Sequence, residues 1–290
     1  MDINAFLVFR TVAAEGSVTK AAERLNYVQS NITARIQQLE KELGVTLFHR
    51  DYRKMTLTSA GQILLPYANR LIETFNEAKE AVTDTSIPRG ALTIGAMDSA
   101  AAVWLPKVVS AYHNQYPLVD LNIFTAPTEA QIRAVLAHEI DGAFVDGPVS
   151  HPELVNDLEI DERLVLVCAK ARGTIELEDV LEEPLLTPFS RCVYLDRWQG
   201  WLNERGHRVS KVMEFGTLDG ILHCIENGFG ITVVPYAQIQ HHETQRKIQC
   251  HRIPEPYGTV PTVFIHRRDS YVSGALRALI DIAHLVVMES

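Results

Sequence analysis

Apolar side chains return every three or four positions through the first 44 residues, in three runs separated by glycine and polar residues. Ile3, Phe6, Leu7, Phe9, Val12 and Ala13 predict a first helix, capped by Asp2 and ended by Gly16 in a left-handed backbone. Ser17 caps a second, in which Val18 and Leu25 supply apolar contacts while Ala21 and Ala22 let another helix cross closely. After the turn Asn26-Tyr27-Val28, a third helix runs from Gln29 or Ser30 to Leu43 and buries Ile32, Ile36, Leu39 and Leu43 before Gly44 closes it. Residues 46–50 and 55–58 predict two short strands joined by 51–54, a two-stranded wing.

From Ser59 to about Thr85 no glycine follows Gly61, and Leu64, Tyr67, Leu71, Phe75, Ala78 and Val82 recur by threes and fours, which predicts one long helix. Pro66 either bends it slightly or lies near its first turns. A stripe of this length needs cover, either from an antiparallel copy of the helix in a second subunit or from the chain's own N-terminal helices. Ile87-Pro88-Arg89-Gly90 breaks the pattern. Three segments result: a head over 1–58, a linker helix over 59–89 that serves dimerisation, and a body over 90–290.

In the body the pattern alternates between strands and helices. Residues 92–95, 119–124 and 140–145 predict strands, with helices around Trp104 to Tyr112 and from Ala130 to His138. A second set follows, with strands over 164–169, 185–187, 211–215 and 230–234 and helices over 198–204 and 218–226. Repeated strand-helix units call for an α/β sheet with helices on both faces, here in two lobes, and ligands in such folds gather at the carboxyl ends of the strands.

Charge refines this division. The chain has a net charge of −9, but residues 1–89 hold 11 Lys+Arg and 10 Asp+Glu, so 27 − 11 = 16 and 36 − 10 = 26 fall to residues 90–290. The acidity therefore belongs to the body, which repels DNA and keeps a duplex on the head. No basic stretch followed by a long apolar run opens the chain, and no window reaches the apolar length of a spanning helix, which points to a cytoplasmic protein without a membrane partner. Cys168, Cys192, Cys224 and Cys250 have no paired spacing, so neither a metal site nor a disulfide framework is expected.

The exposed start of the third helix carries Gln29, Ser30, Asn31, Thr33 and Arg35, donors and acceptors of the reach needed for base edges and phosphates in a major groove. Arg50, Arg53 and Lys54 place positive charge on the wing, where it meets the phosphate backbone, and Ser17 joins this DNA-binding set at the start of the second helix. Packing alone could also account for three amphipathic helices. The agreement of caps, turn, polar helix start and basic wing favours the DNA reading.

From Phe6 to about Tyr67 the runs Ala-Ala-Glu-Arg-Leu, Gln-Ser-Asn-Ile-Thr-Ala-Arg-Ile-Gln-Gln-Leu-Glu, Leu-Gly-Val-Thr-Leu-Phe-His-Arg and Leu-Thr-Ser-Ala-Gly resemble the winged helix-turn-helix of LysR-type transcriptional regulators. Two positions depart from the family pattern: Ser30 stands where many members have proline, and Ala34 where they have arginine, the charge here falling on Arg35. Gly216-Thr217-Leu218-Asp219, Asn227-Gly228-Phe229-Gly230-Ile231 and Val234-Pro235 extend the likeness to the family's effector domain. The resemblance implies a two-lobed, periplasmic-binding-protein-like (type II) effector domain with chain crossings between lobes, its last segment returning from about His266 to the first lobe. It also implies a homodimer, pairing into a homotetramer, on double-stranded promoter DNA, with RNA polymerase as a further candidate partner.

At the turns after the first two body strands, Ser99, beside Ala100, and Thr128 bring hydroxyls to helix starts, where they either cap the helix or hold an anion's oxygens with free backbone N–H groups. Both match effector contacts implied by the resemblance. Phe144, Ser190, Arg191, Cys192 and Thr217 are candidates to face them, Thr217 foremost. Arg191 would complement a carboxylate, and a small, partly apolar organic acid is the expected effector, although Asp98 and Asp146 weigh against a highly charged anion. Cys192 beside Arg191 suggests the alternative of a thiol sensor. No phosphate loop, nucleophile elbow, paired His-Glu motif or dinucleotide fingerprint is present, so neither an enzyme nor a cofactor is expected. A solute-binding module without DNA activity would leave the first 58 residues without a purpose.

Overall fold

A computed structural model describes residues 2–51, 54–83, 87–170, 183–188, 192–209, 211–243 and 248–288. The head consists of α1 (Ile3–Glu15), α2 (Val18–Leu25) and α3 (Gln29–Leu43), then β1 (Phe48–Asp51) antiparallel to β2 (Lys54–Leu57). Each expected cap is in place. The Asp2 carboxylate accepts from the Ala5 amide over 2.7 Å, Ser17 from the Lys20 amide over 3.4 Å, and Gly16 and Gly44 close α1 and α3 at φ 60° and 72°. Val8, Phe9, Val12, Ala21, Ala22, Ile32, Ile36 and Leu39 form the buried centre.

Thr46 and Leu47 were expected in the first strand, but their backbone groups are engaged elsewhere. The Leu47 amide donates to the buried Glu40 carboxylate over 2.8 Å, and the Thr46 carbonyl accepts from the Thr58 hydroxyl over 2.8 Å. With the wing ladder beginning only at Phe48, this arrangement clamps the end of α3 to the base of the wing.

Helix α4 (Ser59–Thr83) contains Pro66 without ending there. Its expected apolar stripe divides. Leu64 packs on the head with buried Ala68, whereas Tyr67, Leu71, Phe75 and Val82 are 64, 46, 52 and 83% exposed.

The body is built on β3 (Gly90–Ala96), β4 (Val119–Thr125), β5 (Gly142–Asp146), β6 (Leu154–Ala169), β7 (Leu185–Thr187), β8 (Val212–Glu214), β9 (Thr232–Pro235), β10 (Ile248–Arg252) and β11 (Thr259–Arg267). Its helices are α5 (Asp98–Val103), α6 (Leu105–Gln115), α7 (Thr128–Leu136), α8 (Val193–Asn203), α9 (Leu218–Glu226), α10 (Tyr236–Glu243) and α11 (Gly274–Met288). A continuous sheet runs in the order β10-β6-β11-β5-β3-β4, with β9 also on β6. Strand β6 serves both lobes: residues 154–163 pair with β11 in the first, and residues 164–169 with β9 and β10 in the second.

Periodicity predicts only the second half of β6, because Asp157, Glu159, Asp161, Glu162 and Arg163 obscure the alternation of its first half. Strands β10 and β11 were also not expected. Helix α11 returns to the first lobe as the family resemblance implies, and Ala275 accepts from the Tyr112 hydroxyl on α6 over 2.9 Å. The aromatic centre of this lobe sets Phe144 between Trp104, edge-on to it, and Phe264, tilted against it, each ring centroid 4.6 Å away. No helix among the described residues is long and apolar enough to cross a membrane.

Candidate functional site

Two surfaces collect the residues singled out above. On the head, Val28 opens α3 without a side-chain cap, so Gln29, Ser30 and Asn31 stand exposed at an open helix N-terminus. Thr33 turns its hydroxyl back to the Gln29 carbonyl over 3.0 Å. Arg35 is held inward: its Nε donates to Asn31 Oδ1 over 3.2 Å, Asp2 lies 3.6 Å away, and the Tyr27 ring centre 5.9 Å away. Those contacts fix the guanidinium beside the helix tip, at a position one residue beyond the family pattern. Ser17 is occupied in capping α2. Lys54 is exposed on the wing, and the next residue ties the wing to the end of α1, the Met55 amide donating to the Gly16 carbonyl over 2.9 Å. Arg50 lies in β1, while Arg53 falls outside the described residues.

The second surface is a cavity of about 980 Å³ between the lobes, with Ser99, Thr128, Asp146, Cys192, Tyr194 and Thr217 in its wall. The hydroxyls there do not act as expected. Met97 and Pro127, not Ser99 and Thr128, occupy the cap positions of α5 and α7, and both helices begin without a side-chain cap. Thr128 instead binds Asp146 twice, donating to Oδ2 over 2.9 Å and accepting from the backbone amide over 3.1 Å. Ser99, 5% exposed, accepts from the Tyr194 phenol over 3.1 Å, a bond from the second lobe to the first. Thr217 does cap its helix, accepting from the Gly220 amide over 3.3 Å.

Ala100 and Phe144 are fully buried and do not line the cavity; Phe144 belongs to the aromatic centre of the first lobe, which its flanking apolar residues make the favoured place for it. Ser190 and Arg191 lie outside the described residues. Burial pushes the Cys192 thiol up to about 11, so at neutral pH it stays protonated, the opposite of what a reactive thiolate needs.

Three groups drew no attention from the sequence: Tyr194 in the cavity wall, and Thr262 and Glu162 on the sheet face that carries Asp146. Tyr194 lies two residues after Cys192 and carries no motif. Glu162 was hidden in the charged half of β6, and Thr262 in an unexpected strand. Burial raises the Asp146 carboxyl and pushes Glu162 up to about 7. Burial, with the Asp146 and Glu162 charges, also raises the Tyr194 phenol well above its ordinary range, keeping it a hydrogen-bond donor.

Both parts of the chain match known families. Residues 3–62 match the family described as bacterial regulatory helix-turn-helix protein, lysR family, and residues 86–286 match the LysR substrate binding domain. The HTH-type transcriptional regulator GltR of Bacillus subtilis (strain 168) is 44% identical over 281 residues, 97% of this chain and 95% of that protein. CzcR of Bacillus anthracis, also an HTH-type transcriptional regulator, is 40% identical over 281 residues, 97% and 96%. Among solved structures, a variant of full-length OxyR from Pseudomonas aeruginosa superposes with a TM-score of 0.79 at 20% identity over 98% of this chain and 95% of that one. Full-length CbnR complexed with its target DNA gives 0.66 at 24% over 99% and 100%. At such identities these structures show the shared fold.

Proposed function

The chain belongs to the LysR family of DNA-binding transcriptional regulators, with an effector-binding domain and no enzymatic role, and on that premise we propose a division of labour between its two surfaces. Residues 1–58 bind promoter DNA, with Gln29, Ser30 and Asn31 toward base edges, Thr33, Arg35 and Ser17 beside them, and Arg50, Arg53 and Lys54 on phosphates. Residues 59–89 join two subunits. Tyr67, Leu71, Phe75 and Val82 form an exposed apolar line on α4, and an antiparallel second copy both covers it and sets two heads at the spacing of a two-fold DNA site. Tetramers and contact with RNA polymerase follow from the family resemblance, in the cytoplasm where the target DNA lies. Residues 90–290 bind a small effector in the cleft, through Ser99, Thr128, Asp146, Tyr194, Cys192 and Thr217.

The observation that carries this reading is the Tyr194–Ser99 hydrogen bond across the cavity. A ligand that competes for either hydroxyl changes how the lobes meet, and its differential affinity for open and closed forms biases the heads. The test is binding of the full chain to its own upstream DNA over a range of salt, with and without a bacterial metabolite extract. Preference over random duplex, altered by extract in the native chain and unaltered in the double variant Ser99→Ala, Thr128→Val, is the expected result. Equal affinity for both duplexes overturns the DNA assignment; an extract response unchanged in the double variant overturns the cleft.

A further inference from the structure

Two carboxyls lie close together beside the cleft, Asp146 in its wall and Glu162 buried outside the wall. Thr262 is paired with Asp146 on one side and Ile160 on the other, and Val260 with Glu162, so Asp146, Thr262 and Glu162 share one face of the sheet. Glu162 is 5% exposed, and among the described residues neither of its carboxylate oxygens has a hydrogen-bond partner. Asp146 Oδ1 is also buried and, among the described residues, without a partner, its Oδ2 being held by Thr128. Thr262 and Trp104 lean toward Glu162 and partly offset the rise that burial causes, without reaching hydrogen-bonding geometry. The groups that draw Asp146 back are Thr128 and Tyr194. All four neighbours are neutral. Among the described residues of the cavity wall, Asp98, Glu129 and Asp196 outnumber Arg133.

Two carboxyls in this setting demand either protons or a cation, because desolvated charge without a partner costs several kcal/mol. Asp146, in the wall of the cavity, offers one buried acceptor oxygen to the N–H donors of an ammonium. We propose that the small molecule taken up by this cleft carries a protonated amine, seated against Asp146 with Glu162 as the second negative charge behind it. The assignment rests on the reading of the cleft as the effector site, and it departs from the organic acid expected from the sequence, which drew on Arg191 and on the helix starts at Ser99 and Thr128. An amine-free acid would set its carboxylate beside Asp146 with like charges facing in a desolvated space. The amine instead neutralises the pair, and the hydroxyls of Thr128, Ser99 and Tyr194 complete a polar ring around it.

The probe is a bacterial metabolite extract divided on a cation exchanger at acidic pH, so that amines and amino acids are retained while amine-free acids and neutral compounds pass through, with inorganic cations matched between fractions. The retained fraction is expected to raise the Tm of the full chain by about 2 °C or more. Asp146→Asn, which keeps the shape of the side chain, should abolish that rise, and Glu162→Gln, which removes the second charge behind it, should weaken the apparent affinity about tenfold. A rise given only by the unretained fraction, or one that both variants keep, overturns the amine assignment and leaves the cleft as effector site. If no fraction raises the Tm, the cleft reading fails and the amine assignment with it.

Discussion

The Asn69 side-chain amide donates to the Ala137 carbonyl over 3.0 Å, fastening the long helix α4 to the turn that ends α7. The other end of α7 is Thr128, in the cleft. Around the same turn, Arg267 donates to the Leu136 carbonyl over 3.0 Å and His138 meets Glu73 of α4. One short helix thus spans from the effector cavity to the helix that carries the heads, with its last carbonyls held by side chains from two different parts of the chain.

Asn69→Ala removes the donor and leaves the Ala137 carbonyl without it. The expected loss is about 1–2 kcal/mol of stability, visible as a lower Tm or denaturant midpoint of the full chain. An unchanged midpoint would show that the bond contributes nothing to the docking of α4.

The Glu162 carboxyl, raised from its ordinary 4.5 to about 7 by burial, makes stability depend on pH in a definite direction. The folded state binds this proton more tightly than the unfolded one. Its contribution is therefore fully present below about pH 4.5 and is lost as pH rises through about 7. Glu162→Gln should flatten the stability profile across that window and leave the ligand-free protein more stable than the native chain at pH values above it. Parallel Tm-against-pH curves for the two proteins would contradict this.

DNA contacts should separate by kind. Lys54→Ala is expected to weaken binding to every sequence alike and to reduce the slope of log affinity against log salt by about 1. Asn31→Ala, at the exposed tip of α3, should mainly alter which base is preferred, with a discrimination loss of about 1–3 kcal/mol at one position of the site. Equal losses on specific and random duplex for both variants would refute the division between wing and helix tip.

Charge placed on the outer line of α4 should prevent pairing of subunits. Tyr67→Glu together with Phe75→Glu is expected to give a monomer in sedimentation that melts close to the native chain, since both side chains are more than half exposed. A dimer that survives both changes would place the subunit contact elsewhere.

The head was almost wholly legible because its punctuation is local. Asp2, Gly16, Ser17 and Gly44 each determine a helix end through their own backbone or side chain. Thr46 and Leu47 misled because their backbone partners lie on Glu40 and Thr58, which no alternation of apolar residues reveals. In the body, residues 164–169 showed as a strand by continuous apolar character, whereas residues 154–163 combine a strand's pairing with a surface full of charge. The cleft was legible in part. Ser99, Thr128, Cys192 and Thr217 do line it, but Phe144 was drawn into the apolar centre, Tyr194 reaches the wall only through lobe packing, and strand register alone sets Glu162 on the sheet face of Asp146.

The position of β11 also governs the order in which the molecule can be completed. Residues 259–267 insert between β5 and β6, both formed from earlier stretches of the chain. While the chain emerges from the ribosome, β5 must therefore wait with one ladder edge unmatched until nearly all of the polypeptide has been made. Loss of this one late strand would split the first lobe down its middle and present two adhesive edges to neighbouring molecules.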